Sequence, residues 1–180
     1  FHGGDNVRED DVSFGGAVFG DGASFEKAAF RYARFDDAAF GGSACFHGAE
    51  FTRMAVFSEV RFEGRATFEE ARFRNDVAFD AATFEGDASF SGAEFEGGDN
   101  VEDDDVTFEG AVFERAARFD HVEFVYANFR SVRVAGEASF LDSAFVDHAS
   151  FTDAVFLDRV AFSEVTFEDD ARFVGCSVAG

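Results

Sequence analysis

The chain has no proline, no tryptophan and no isoleucine, one methionine, and only two leucines, Leu141 and Leu157. A globular core mixes Leu, Ile, Val and Phe, so this composition excludes the usual mixed interior. Cys45 and Cys176 are the only cysteines and stand far apart. Two isolated thiols exclude a disulfide framework and favour a reducing, cytoplasmic setting. No apolar run approaches the ~20 residues that a membrane helix needs, and no signal peptide is visible. The first residue is Phe1 rather than Met, which fits a piece of a longer protein.

What is present is as lopsided as what is missing. Among 180 residues there are 29 Phe, and 37 acidic residues face 15 basic ones, giving a formal net charge of −22. One structural slot used many times selects one residue many times, so the Phe excess points to a repeat. The charge alone suggests disorder, but 47% hydrophobic content with regular Phe argues against it. Such a charge favours solubility, repels nucleic acid and anionic membranes, and attracts basic surfaces. Lys27 is the only lysine. An acidic, lysine-poor surface resembles that of proteins from salt-loving organisms, where carboxylates keep the surface hydrated.

The Phe positions from Phe14 onward run 14, 19, 25, 30, 35, 40, 46, 51, 57, 62, 68, 73, 79, 84, 90 and 95. Steps of five and six fit neither a helix nor a long strand. Two positions before nearly every Phe stands a small residue, such as Ala66, Ala88 or Ala93. Both features follow if each unit forms one short side and one corner of a square coil, with Phe and the small residue inward. Four sides make a coil of about 22 residues, and coils stack at the ~4.8 Å β spacing. Phe40, Phe62 and Phe84 then lie one above another, as do Phe46, Phe68 and Phe90. The spacing predicts an all-β solenoid of about eight coils, forming a single domain over 1–180.

A longer period overlies this one. "FHGGDNVREDDVSF" (1–14) returns as "FEGGDNVEDDDVTF" (95–108), and each Phe from 14 to 79 has a counterpart 94 residues later, with Val134 replacing one Phe. The chain reads as a duplication of 1–94 and 95–180. If Phe95 to Phe108 counts as one enlarged step, 94 residues hold 16 sides, or four coils.

The run "FEEARFRNDVAFDAATFEGDASFSGAEF" (68–95) resembles the pentapeptide-repeat family, in the Phe-centred variety with an 11-residue double unit. The resemblance covers almost the whole chain and implies a right-handed quadrilateral parallel β-helix. Its best-understood branch comprises quinolone-resistance proteins and toxin-immunity factors. These are acidic, dimeric rods that mimic duplex DNA and bind DNA gyrase and topoisomerase IV. This chain departs from that branch in its nearly pure Phe centre and in showing no dimerising helix after Val178.

Several residue groups are candidates for contacts. Asp99, Asn100, Glu102, Asp103, Asp104 and Asp105 form an acidic segment, and Asp5, Asn6, Glu9, Asp10 and Asp11 form its first copy. These carboxylates suit a solvated loop, a partner contact or a cation site, although their spacing matches no calcium-loop motif. Cys45 and His47 flank Phe46 and project outward, but two ligands do not make a zinc site. Arg31, Arg53, Arg72 and Arg74 are expected along one side, paired with Glu50 and Glu94. The outward apolar residues Leu141, Val146, Val155, Leu157 and Val174 concentrate in the C-terminal third and suggest a homodimer contact.

No nucleophile with a partnered base is evident, and a Phe-filled interior leaves no pocket for chemistry. The expectation is a rigid acidic scaffold or protein-interaction module that is not an enzyme. It uses no cofactor and no metal, binds neither membrane nor nucleic acid directly, and has a protein partner of unknown identity. The alternative is a DNA mimic acting on a type II topoisomerase. One continuous acidic side would favour mimicry, whereas acidity spread around the rod would favour solvation.

Overall fold

The computed structural model describes residues 11–97 and 106–179. Within them the chain forms thirty strands of two or three residues and no helix. The strands assemble into four parallel sheets of eight, eight, seven and seven strands. Each strand pairs with those four positions before and after it in chain order, so successive strands turn a corner and every fourth one stacks. This is a quadrilateral β-helix of seven to eight coils. Its sides are numbered here 1 to 4 in chain order, beginning with the strand Asp11–Ser13.

The Phe ladder sets the register. Side 1 stacks Phe35 on Phe57 on Phe79, side 2 Phe40 on Phe62 on Phe84, side 3 Phe46 on Phe68 on Phe90, and side 4 Phe51 on Phe73 on Phe95. Ring centroids along a column are one coil apart, as for Phe46 and Phe68 at 4.7 Å with planes 1° apart. Between columns the rings meet edge to face, as Phe57 does Phe68 at 5.3 Å and 88°. Both geometries suit the aromatic quadrupole. The small residue two before each Phe also points inward: Ala66, Ala71 and Ala88 are buried beside Phe68 and Phe73. Val134 fills a Phe slot on side 2, between Phe113 and Phe156.

The 22-residue spacing holds where Phe62 pairs with Phe84, and widens to 29 where Phe84 pairs with Phe113. After Glu94–Phe95 on side 4, the next described strand is Val106–Thr107 on side 1, where Val77 pairs with Val106. Among the described residues the interval from Phe95 to Phe108 adds no strand between sides 4 and 1, and 94 residues separate Val12 from Val106, both on side 1.

Alternate corners are β-turns of one kind. After the Phe residues of sides 1 and 3, the third residue on donates back to its carbonyl, as Ala49 N–H does to Phe46 O at 3.0 Å; at Phe119 the Ser143 hydroxyl bridges instead, accepting from Val122 N–H and donating to Phe119 O. The second residue on has φ near +60°, for example Glu59 at 58° and Ala81 at 52°. This is the type II pattern, which favours glycine at that place. Here the position is filled by Gly16, Gly48, Gly92, Gly110 and Gly175 but also by ten non-glycine residues. Their N–H groups bond the turn of the next coil, as Glu59 N–H does Asp80 O at 2.8 Å. The stacked ladder of turns holds a conformation that L-residues otherwise avoid.

Candidate functional site

With the interior filled by Phe and Ala, any contact must be made from outside, on the flat sides or at the edges between them. Outward positions in the strands are strikingly poor in acid only when compared with the edges. Side 1 presents Ser13, Arg34, Val56, Ala78, Thr107 and Ser150, and side 3 presents Ser24, Cys45, Thr67, Ser89, Arg118 and Ser139. Side 2 adds Arg61 and Arg133 among Ala, Thr and Val. Apart from Asp11 at the start of side 1, the strand carboxylates lie on side 4, Glu50, Glu94 and Glu123, and there Arg72 stands between the first two.

The acid lies at the corners. Asp36, Asp37, Glu59 and Asp80 line the edge between sides 1 and 2; Glu63, Glu85, Asp87 and Glu114 line the next. Glu69, Glu70, Asp120 and Asp142 follow between sides 3 and 4, and Asp147, Glu168, Asp169 and Asp170 close the square. The rod therefore carries acid along three edges, while the edge between sides 4 and 1 holds Arg31, Arg53 and Arg74 in its early coils and is acidic in its late ones. No single side is continuously acidic among the described residues.

The arginines work against these carboxylates. Arg72 Nε is 3.1 Å from Glu94 Oε2. Arg74 reaches Glu50 at 3.1 Å and also contacts Glu96, one coil on. These contacts hold the Arg74 guanidinium above its ordinary pKa, first through the hydrogen bond to Glu50 and then through the Glu96 charge. Arg61 bridges Glu85 at 2.5 Å and Glu63 at 3.5 Å. Arg31 and Arg53 stand on the same edge as Arg74, between sides 4 and 1, and the Arg31 guanidinium lies 5.8 Å from the Tyr32 ring centre. Of the expected strip, Arg31, Arg53 and Arg74 share that edge while Arg72 stands on the side 4 face, and Arg72 and Arg74 cross-link coils.

Two shallow recesses flank side 4. One, of about 380 Å³, runs over the turns of successive coils and is lined by Lys27, Gly48, Glu50, Glu70, Arg72 and Glu94 among others. A second, of about 250 Å³, is lined by Glu94, Phe95, Glu96 and Glu123. Both mix open solvent with side-chain tips, and neither encloses a titratable pair.

The acidic segment Asp99, Glu102, Asp103, Asp104 and Asp105 lies outside the described residues, as do Asp5, Asn6, Glu9 and Asp10. Asp11 is described and pairs with Tyr32 at the start of side 1. Cys45 stacks between Ser24 and Thr67 on side 3, while His47 turns the corner and lies 3.9 Å from Glu70. Both cysteines are free thiols, and burial pushes the Cys176 thiol above its usual pKa.

The C-terminal apolar residues are not one lateral patch. Leu141 is at the edge between sides 3 and 4, Val146 between 4 and 1, Val155 on side 2, Leu157 between 2 and 3, and Val174 between 1 and 2. They encircle the rod. What does gather is the end of the last described coil, where Phe167, Phe173, Val174 and Val178 are exposed at 36, 42, 71 and 54%.

One cluster was missed from the sequence. Asp147, His148 and Asp169 bring one ligand-type atom each within 4.8 Å of one another, the only such group among the described residues. His148 Nδ1 is 2.6 Å from Asp147 Oδ1, and Nε2 is 3.8 Å from Asp170 Oδ2. The Tyr126 hydroxyl and then His148 hold the Asp147 carboxyl below its ordinary value. The signal was the 22-residue offset from Asp147 to Asp169 and from His148 to Asp170.

No helix among the described residues is long and apolar enough to cross a membrane. A family profile described as Pentapeptide repeats (9 copies) matches residues 35–83, 57–103 and 129–177. No curated protein matches the chain.

Proposed function

The chain belongs to the pentapeptide-repeat family, and from that premise we propose that it is a non-enzymatic, rigid acidic module that works by binding another protein. The observation that carries this reading is the division of its surface into acid-rich edges, three along the rod and the fourth in its late coils, and flat faces of mostly small side chains around a solid aromatic core. A core of this kind gives stiffness and leaves no chamber for a substrate. The edges suit a partner with a basic surface, and electrostatic attraction of this kind acts mainly on association rate and falls with salt.

A second copy of the chain is the partner proposed for the C-terminal end. Leu141, Val146, Val155, Leu157 and Val174 ring the rod there, and Phe167, Phe173 and Val178 offer stacked apolar surface beyond them. An end-to-end dimer of this chain covers Phe167, Phe173 and Val178 at the last described coil. Light scattering at micromolar concentration reads a dimer if this holds, and Phe173→Asp returns it to monomer. A monomeric wild type removes the contact.

DNA mimicry of a type II topoisomerase substrate is the second reading. Its support is that edge carboxylates recur with every coil, and that Glu94 and Glu123 lie in register on side 4. Against it stand Arg34, Arg61, Arg118 and Arg133, which interrupt the other three sides with positive charge. A gyrase supercoiling assay at fixed salt decides between them. The module reading expects no inhibition up to the solubility limit. Inhibition at low micromolar protein, lost when edge carboxylates are neutralised, replaces it with mimicry.

A further inference from the structure

The edge between sides 4 and 1 changes character along the rod. In early coils it carries Arg31, Arg53 and Arg74; in late coils it carries Tyr126, then Asp147 and His148, then Asp169 and Asp170. Three successive turns thus place an imidazole between carboxylates from its own coil and the next.

We propose that Asp147, His148 and Asp169 form a binding site for one divalent transition-metal ion of the zinc type. The three ligand-type atoms already lie within 4.8 Å of one another. Ligand atoms at ~2.0–2.1 Å from zinc stand at most about 4 Å apart, so closing the site moves exposed side-chain tips by roughly 1 Å. One nitrogen and two carboxylate ligands are a donor set that zinc accepts, leaving a further position for water.

The imidazole separates this cluster from the other acidic corners, and its surroundings hold it in place. The Tyr126 ring stacks on the His148 ring at 5.7 Å with planes 6° apart. The same tyrosine donates its hydroxyl to Asp147. Asp147 takes the Nδ1 side of the ring at 2.6 Å, and Asp170 faces Nε2 at 3.8 Å. When the metal occupies the Nδ1 side, Nε2–H is left pointing at Asp170. At 3.8 Å this is longer than a hydrogen bond, and a small shift of the exposed Asp170 side chain would complete the carboxylate–histidine–metal arrangement, in which an outer carboxylate orients the ligand ring. The other described histidines lack it. His47 and His121 each face one carboxylate of the next coil, Glu70 at 3.9 Å and Asp142 at 3.6 Å. The protein's net charge of −22 raises the local concentration of any cation.

The test is a titration of zinc chloride into the full chain by isothermal calorimetry, at about 0.15 M salt to screen diffuse attraction. The expected result is one zinc per chain, with the His148 imidazole NMR signals shifting and those of His47 and His121 unmoved. His148→Ala and Asp169→Asn abolish that binding. Asp170→Asn weakens it roughly tenfold, the usual effect of losing an outer carboxylate. All three side chains lie at the surface, so circular dichroism should report an unchanged fold. Binding that survives His148→Ala overturns the proposal, as do several weak ions per chain or no heat at millimolar zinc.

Discussion

Truncating one ring in the middle of the ladder tests the fold more sharply than any surface change. Phe68 is fully buried, stacked between Phe46 at 4.7 Å and Phe90 at 4.9 Å. It also meets Phe57, Phe62 and Phe79 edge to face at 5.3, 5.9 and 5.2 Å. At ~200 Å² of burial and ~25 cal/mol per Å², the ring contributes about 5 kcal/mol as an upper bound. The backbone around it is pinned by bonds to both neighbouring coils, including Phe68 N–H to Ser89 O at 2.7 Å, so the hole cannot close. Phe68→Ala should therefore cost roughly 3–5 kcal/mol, the range for large cavities. For a chain of this size that lowers the melting temperature by about 6–20 °C. Phe167→Ala is the control, because Phe167 is 36% exposed and stacks on one side only, on Phe145. It should cost clearly less. Both variants are read by thermal and denaturant unfolding, followed by circular dichroism. A mid-stack loss no larger than the end loss would refute nearest-neighbour stacking as the source of stability.

Four further outcomes follow from the corners and the surface. A Cβ on Gly64 would stand 2.5 Å from the Gly42 carbonyl carbon, a backbone atom, so Gly64→Ala should destabilise by about 1–3 kcal/mol in denaturant unfolding. Ala81 is exposed with φ at 52°, and its N–H bond to Glu109 O survives replacement, so Ala81→Gly should be neutral or stabilising by up to ~1 kcal/mol. A double-mutant cycle of Arg72→Ala and Glu94→Ala should return a coupling of only ~0.2–1 kcal/mol, as both side chains are about half exposed. Burial keeps the Cys176 thiol protonated to higher pH, so its alkylation at neutral pH should be slower than that of a free cysteine and quicken as pH rises.

The interior was legible in the sequence because its physics is one-dimensional. The inward positions depend only on the alternation of five and six, and a Phe stacks on a Phe 22 residues away whatever stands outside. Val134 could be placed in a Phe column for the same reason. The pairing of Arg72 with Glu94 and of Arg74 with Glu50 was also readable, since outward neighbours follow the same register. Which corner takes the left-handed residue was not. Ala81, Glu59 and Lys27 carry no local signal for φ above zero, and only the stacked turns impose it. The Asp147–His148–Asp169 group draws its members from two coils, so no local spacing in the sequence marks it. The C-terminal apolar residues looked like a patch in sequence, but consecutive outward positions rotate around four sides.

The division between edges and faces changes what the net charge means. A strand of two residues offers one outward position, whereas each corner offers two or three, and corners favour the polar residues that turns accept. Most outward positions of such a rod are therefore corner positions, and the carboxylates of the described coils gather there without any side becoming a charged plane. Face arginines then lean onto glutamates of the neighbouring coil, Arg61 onto Glu85 at an edge and Arg72 onto Glu94 on its own face, shielding part of that charge. A partner approaching a face meets small side chains bordered by two acidic rails, and one approaching a corner meets a single column of carboxylates. Recognition of a basic groove by an edge and of a flat surface by a face are distinguishable demands on the partner. The first weakens steeply with added salt and the second does not. The salt dependence of binding, rather than the total charge, identifies which part of the rod a partner uses.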